Sequence, residues 1–272
     1  MKTFLITALS AALIVVNAQP NKIKQEESND EKIQNLRRTP SQAFLPGEFL
    51  KYRVHYGIID AGEATVEIKD EGEKINGRKV YHMVGNGYSK GTFNWFFKVK
   101  DTYESYVDAD GLFPWRFKRD CNEGGFIIKQ NYSFFPQHGN MYNGDGKWLK
   151  TPQYVQDMVS SFYYARSLNL SNLKNGDLIT VQTMVDSELW PFTIKYVGKE
   201  NIKVGKVKYR CLKFRPVVQK GRIFKDEEDL SIWITDDGNR IPIMAEAKIL
   251  FGSLKMELTD YKNLAHPLAI VK

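Results

Sequence analysis

Two serines sit in spacings that nucleophilic enzymes use. Gly87-Tyr88-Ser89-Lys90-Gly91 satisfies G-x-S-x-G, and Ser171-Asn172-Leu173-Lys174 satisfies S-x-x-K. A nucleophile elbow needs a strand before the serine and a helix after it, so that a sharp turn presents the hydroxyl to an oxyanion hole. Residues Thr92 to Val99 (TFNWFFKV) read instead as a strand-like aromatic run, which predicts a glycine-rich β turn at Ser89. Ser171 follows a candidate helix rather than opening one, and no K-T-G accompanies it. Neither serine is assigned a chemical step, and no catalytic residue emerges.

The remaining reactive side chains are equally sparse. His55, His82, His138 and His266 lack the HExxH spacing of a zinc site. His55 shares a strand with Lys51 and Arg53 and is expected to face solvent; His82 reads as a polar strand position. Asp226-Glu227-Glu228-Asp229 has the chemistry of a hard-cation site. Neighbouring residues of a strand point to opposite faces, however, so the run is no ready cage. No metal ligand set and no cofactor are indicated. Cys121 and Cys211 can form one disulfide in an exported chain, or remain as small buried apolar side chains.

Charge and aromatic content point to binding rather than to chemistry. From Lys195 to Lys225 there are eleven Lys or Arg against one acidic residue, Glu200. Such a block suits anionic lipid head groups, lipopolysaccharide or acidic glycans. It equally suits solvent-facing lysines that discourage edge pairing. Three aromatic groups stand out: Trp95-Phe96-Phe97, Trp115 with Phe117, and Tyr132 with Phe134-Phe135. They serve as core, as the lining of an acyl cavity, or as a stacking platform for sugars.

Strands must position these groups. In EFLKYRVHY, Leu50, Tyr52, Val54 and Tyr56 alternate with Lys51, Arg53 and His55, the period of a half-buried strand. Ala64, Val66 and Ile68 repeat the pattern, as do Leu254, Met256 and Leu258. Turn pairs recur at Asn76-Gly77, Asp110-Gly111, Asp145-Gly146 and Asp237-Gly238. One segment differs. After Thr151-Pro152, the residues Val155, Met158, Val159, Phe162 and Ala165 fall at helical spacing, predicting an amphipathic helix over about 152–168. Its apolar stripe should pack on the sheet.

The chain has 272 residues, with 42% hydrophobic and 26% charged, so most of it can bury a core. Lys2, the apolar stretch Phe4 to Val16 and the small residues to Ala18 read as a signal peptide over residues 1–18. Export disfavours nucleic acid as a partner. No Cys near the cut argues for lipid attachment, and no later run is long enough to span a bilayer. Residues 19–40 are polar and charged on both signs, as in a flexible leader. The body is expected over 41–272.

An internal repeat organises that body. Gly47-Glu48 and Gly176-Asp177, the segments at Asn76 and Val204, the Asp110-Gly111 and Asp237-Gly238 turns, and Gly125 with Gly252 share an offset of 127 to 129. Two similar antiparallel β units, about 47–135 and 176–261, are therefore expected, packed as a sandwich or barrel-like body with the helix between them. Phe44 to Tyr261 resembles the exported bacterial family called domain of unknown function 3108. The carrying residues are Phe93-Asn94-Trp95-Phe96-Phe97, the Asp108–Pro114 turn with Arg119 to Gly125, and Lys225 to Pro242. The resemblance implies a Gram-negative envelope protein, most like those of Bacteroidetes, and transfers no catalytic residue. The leading expectation is a non-enzymatic periplasmic binding or envelope-assembly protein holding a lipid-like ligand between two β units, with peripheral membrane contact. A glycan-binding module is the second, and an enzyme of unrecognised type the third.

Overall fold

Period-two alternation becomes one antiparallel sheet rather than two stacked ones. The computed structural model describes residues 29–39, 41–69, 71–217, 230–248 and 253–272. Residues 1–18 expected as a signal peptide, the expected leader up to residue 28, residues 218–225 of the basic block, the Asp226–Asp229 run and Gly252 lie outside the described residues.

The first half contains helix α1 (Asn29–Gln34), then β1 (Phe49–Tyr56), β2 (Ile59–Lys69), β3 (Lys74–Ile75) and β4 (Arg78–Ser89). A single-turn helix α2 (Phe93–Phe96) leads to β5 (Val99–Asp108), β6 (Pro114–Glu123), β7 (Phe126–Phe135), β8 (Asn140–Tyr142) and β9 (Trp148–Lys150). Helix α3 (Met158–Ser167) precedes β10 (Leu178–Val185), β11 (Glu188–Val204), β12 (Val207–Pro216), β13 (Leu230–Thr235), β14 (Pro242–Lys248) and β15 (Ser253–Lys262).

The sheet order is β10 to β15 in sequence, then β1, β2, β4, β5, β6, β7, β8 and β9. Two meanders are thus joined through the β15–β1 pair, where Tyr56 stands opposite Leu254. The sheet stays open, with β9 and β10 as its ends. It nevertheless curls: Asp186, at the β10–β11 turn, meets Arg119 of β6 and Gln130 of β7 from the other half. A sandwich is replaced by a barrel-like body because the last strand of the second unit finds its partner in the first strand of the first.

Strand starts at 49, 59, 78, 114 and 126 lie 127 to 129 residues before those at 178, 188, 207, 242 and 253. Asp110-Gly111 lies in the β5–β6 turn and Asp237-Gly238 in the β13–β14 turn. The Asn76-Gly77 turn has positive φ at both residues (51° and 77°), as a two-residue hairpin prefers.

Three sequence expectations shift. His55 is buried, not solvent-facing, because a bulge between Val54 and His55 reverses the alternation of β1. The leader is docked from Asn29 onward. Ile33 and Leu36, three apart on one helical face, bury themselves against Val80, Tyr106, Phe113 and Trp115. Arg37 then donates from Nε to the Gly111 carbonyl at 2.7 Å and lies over the Tyr154 ring at 4.5 Å. Gly111 is required here, since a Cβ would stand 2.7 Å from the Arg37 carbonyl oxygen.

The central helix, finally, begins at Met158 instead of Pro152. Asp157 caps it, accepting from Val159 N at 2.8 Å and Ser160 N at 2.7 Å, while its own N–H donates to Ser160 Oγ at 2.8 Å. The residues before it cover the sheet edge instead. Gln156 N donates to the Gln182 carbonyl at 2.8 Å, and Met184 N donates to the Gln156 carbonyl at 2.7 Å, satisfying β10.

Candidate functional site

Helix α3 lies inside the curl of the sheet and presents two different flanks. Val159, Ser160, Tyr163 and Arg166 are buried. Met158, Ser161, Phe162 and Ala165 face a cavity of about 610 Å³ bounded on its other side by the second meander. Its walls are apolar: Ile179 of β10, Trp190, Phe192 and Ile194 of β11, Phe214 of β12, and Ile232 and Ile234 of β13. The apolar stripe read from the sequence is therefore divided between core and cavity.

Two arginines reach this space and are used differently. Arg166 is held by Glu48 through paired bonds of 2.6 and 2.7 Å, and its Nε donates to the Asn239 carbonyl at 3.0 Å. Burial opposes its charge, but the Glu48 carboxylate outweighs that and keeps its pKa above the ordinary value. Arg166 joins α3, the start of β1 and the β13–β14 turn; it is a structural tie. Arg240 donates from Nη1 to the Arg166 carbonyl at 2.8 Å and has no carboxylate partner among the described residues. Burial lowers its pKa, with Asp237 acting against that shift. Its backbone is left-handed at φ 50°, held by the Asp237 carboxylate, which accepts from Asn239 N at 2.9 Å. An apolar chamber with one arginine that no carboxylate pairs directly among the described residues suits an apolar tail with an anionic head.

The lip of the chamber is fixed. Asp186 and Ser187 both have positive φ (51° and 65°), costly for non-glycine residues. Arg119 donates to Asp186 at 3.0 Å, Gln130 at 2.9 Å, and Ser187 Oγ donates to the Tyr132 hydroxyl at 3.3 Å. These bonds hold the strained turn. Behind the lip, Trp190 and Phe192 remain partly exposed and form the opening.

The residues singled out by sequence fall mostly elsewhere. Ser89 ends β4, and its Oγ donates to Asn94 Oδ1 at 2.7 Å and accepts from Val99 N at 2.8 Å. The aromatic run after it forms α2, not a strand. Ser171 bonds only its neighbour Asn169 among the described contacts. His82 lies between Glu71 at 3.0 Å and Glu104 at 2.8 Å, stacked on Tyr106. Among the described residues no His, Cys, Asp and Glu cluster is set to hold a metal. Cys121 and Cys211 are both free and buried, on β6 and β12. Burial, aided by Asp237, Asp236 and Glu200, pushes the Cys211 thiol up to about 12. Trp115, Phe117, Tyr132 and Phe134 are core.

The basic block divides along β11 and β12. Lys203, Lys206 and Lys208 are exposed around the β11–β12 turn, at the opposite end of the strands from Trp190. Sequence reading missed Arg240, Trp190 and Phe192. The signal for the latter two was the period-two spacing of Trp190, Phe192 and Ile194; for Arg240 no pattern was available.

The fold and site define a class: an open, β-barrel-like antiparallel sheet enclosing one helix and an apolar cavity. The chain belongs to the DUF3108 family, described as a protein of unknown function, whose model matches residues 51–259. A beta-barrel-like protein of domain of unknown function DUF1849 from Brucella abortus is similar in structure, with a TM-score of 0.53 at 12% identity, covering 82% of this chain and 99% of that one. A DUF1089 family protein from Pseudomonas aeruginosa gives a TM-score of 0.38 at 11% identity over 70% of this chain and 91% of that one. No curated protein matches the sequence.

Proposed function

We propose that this chain is a non-enzymatic envelope binding protein that holds a single-chain anionic amphiphile, of the fatty-acid type, beside α3. The cavity carries this reading. This open recess of about 610 Å³ leaves apolar walls, Trp190 and Phe192 among them, in contact with solvent, and contiguous exposed apolar surface marks binding sites. The volume falls within the usual range of small-molecule sites, roughly 300–1,000 Å³. Arg240 supplies the one charge to which a carboxylate or phosphate head would bind.

Residues 1–18 support export, and the periplasm of a Gram-negative cell is the compartment proposed. No helix among the described residues is long and apolar enough to cross a membrane. The corresponding strand starts are read as an internal duplication. A superposition that failed to bring the Asp110 turn onto the Asp237 turn would overturn that reading. A glycan shelf is the weaker alternative: the amide oxygen of Asn94, next to Trp95, is already engaged by the Ser89 hydroxyl.

Mass spectrometry of an organic extract of the natively purified protein tests the assignment. A single-chain anionic amphiphile should be recovered, and Ala165→Phe, which fills the cavity from α3, should lose it. Equal recovery from both proteins would contradict a ligand in this cavity.

A further inference from the structure

The hairpin turns of an antiparallel sheet alternate between its two ends. The β1–β2, β4–β5 and β6–β7 turns therefore share one end, and so does the β10–β11 turn at the mouth of the cavity. Among the described residues, that end carries the most exposed large apolar side chains: Ile58 at 96%, Trp95 at 87%, Phe96 at 86% and Phe126 at 67% exposure. The loops touch. Lys90 N donates to the Ala61 carbonyl at 2.9 Å, and the ring of Phe97 lies where a Cβ on Gly124 would stand, 2.5 Å from it.

From Tyr88 to Lys100 the chain has Lys90, Lys98 and Lys100 and no acidic residue. Lys90 pairs with Glu63, whereas Lys98 and Lys100 are exposed and have no acidic partner among the described residues. Trp and Phe at loop tips, flanked by unpaired lysines, match the two layers of a membrane interface: rings at the boundary of the acyl region, ammonium groups at anionic phosphates. Touching loops that expose Ile58, Trp95, Phe96 and Phe126 at one end of the sheet suit the apolar boundary layer of a bilayer.

We propose that this end of the sheet docks on an anionic lipid bilayer through Ile58, Trp95, Phe96 and Phe126. Resting on the cavity reading, docking places Trp190 and Phe192 towards the same membrane, so an amphiphile passes between bilayer and cavity without crossing water. The exposed lysines of the β11–β12 turn point away and take no part.

Sedimentation with vesicles of phosphatidylethanolamine and phosphatidylglycerol tests the docking. Wild-type protein should bind them, less so as salt rises, and bind phosphatidylcholine vesicles weakly. Trp95→Ala with Phe96→Ala, and separately Lys98→Glu with Lys100→Glu, should each weaken binding about tenfold or more. Lys203→Glu with Lys206→Glu should leave it unchanged. Absent wild-type binding, or equal binding by the Trp95 and Phe96 variant, would overturn the proposal. So would a dimer that this variant abolishes, since the tips would then serve a second copy of the chain. Fatty-acid binding measured without vesicles separates the two readings: it should survive in the Trp95 and Phe96 variant, and its absence from wild type would defeat the cavity reading alone.

Discussion

Arg166 and Arg240 stand at the same end of the chamber, yet only one is neutralised. Removing the partner of a buried pair leaves an uncompensated charge, so Arg166 is committed to Glu48. Asp157 is a buried titratable group whose burial has a measurable consequence. Burial pushes its carboxyl up to about 6, against hydrogen bonds from Ser105, Ser160 and Val159 that favour the charged form. The folded state then holds this proton more tightly than the unfolded chain. Its contribution is fully present below the unfolded pKa of 3.8 and is lost as pH rises through about 6. Relative to Asp157→Asn, which keeps an acceptor at the cap, wild type should lose on the order of 2–3 kcal/mol of stability between pH 4 and 7. Denaturant titrations of both proteins across that range check this. A constant difference between them would show that Asp157 stays ionised throughout.

At the scale of elements, α3 separates packing from cavity lining. Tyr163 is fully buried against Phe44, with ring centroids 4.9 Å apart, whereas Phe162 is only partly buried and faces the chamber. Tyr163→Ala should cost about 3–5 kcal/mol. Phe162→Ala should cost about 1–2 kcal/mol, because much of its surface already lacks protein contacts. Chemical denaturation ranks the two, and a larger loss at Phe162 would mean the cavity is filled by packing. Much of the strand pattern was legible in the alternation at Leu50, Ala64 and Leu254. The wall of the chamber was not, because β12 changes its buried face between Cys211 and Leu212, and β13 packs on both faces, Trp233 joining one cluster and Ile234 another. A strand covered on both sides shows no alternation to read. The cap at Asp157 was hidden by Thr151-Pro152, an equally good helix start that the structure uses as a turn before the β10 edge.

For the whole molecule, the offset shared by sequence landmarks led to the expectation of two units covering one another. The covering of one β unit by the other was expected face to face. Edge-to-edge joining of β15 to β1 instead yields a single curled sheet, and the space inside it is wider than α3 alone can fill. The charged leader misled for a related reason: two apolar side chains, Ile33 and Leu36, suffice to dock a segment whose composition is otherwise polar. Fold and cavity together point to amphiphile binding. Titration of a fluorescent fatty acid into delipidated protein, free of vesicles, tests it most directly. Wild type should show saturable binding of about one equivalent. Arg240→Gln should weaken it about tenfold or more, as loss of a hydrogen bond to a charged group predicts, while leaving a neutral fatty alcohol unaffected. Binding that never saturates, or that is the same in wild type and Ala165→Phe, would contradict the account.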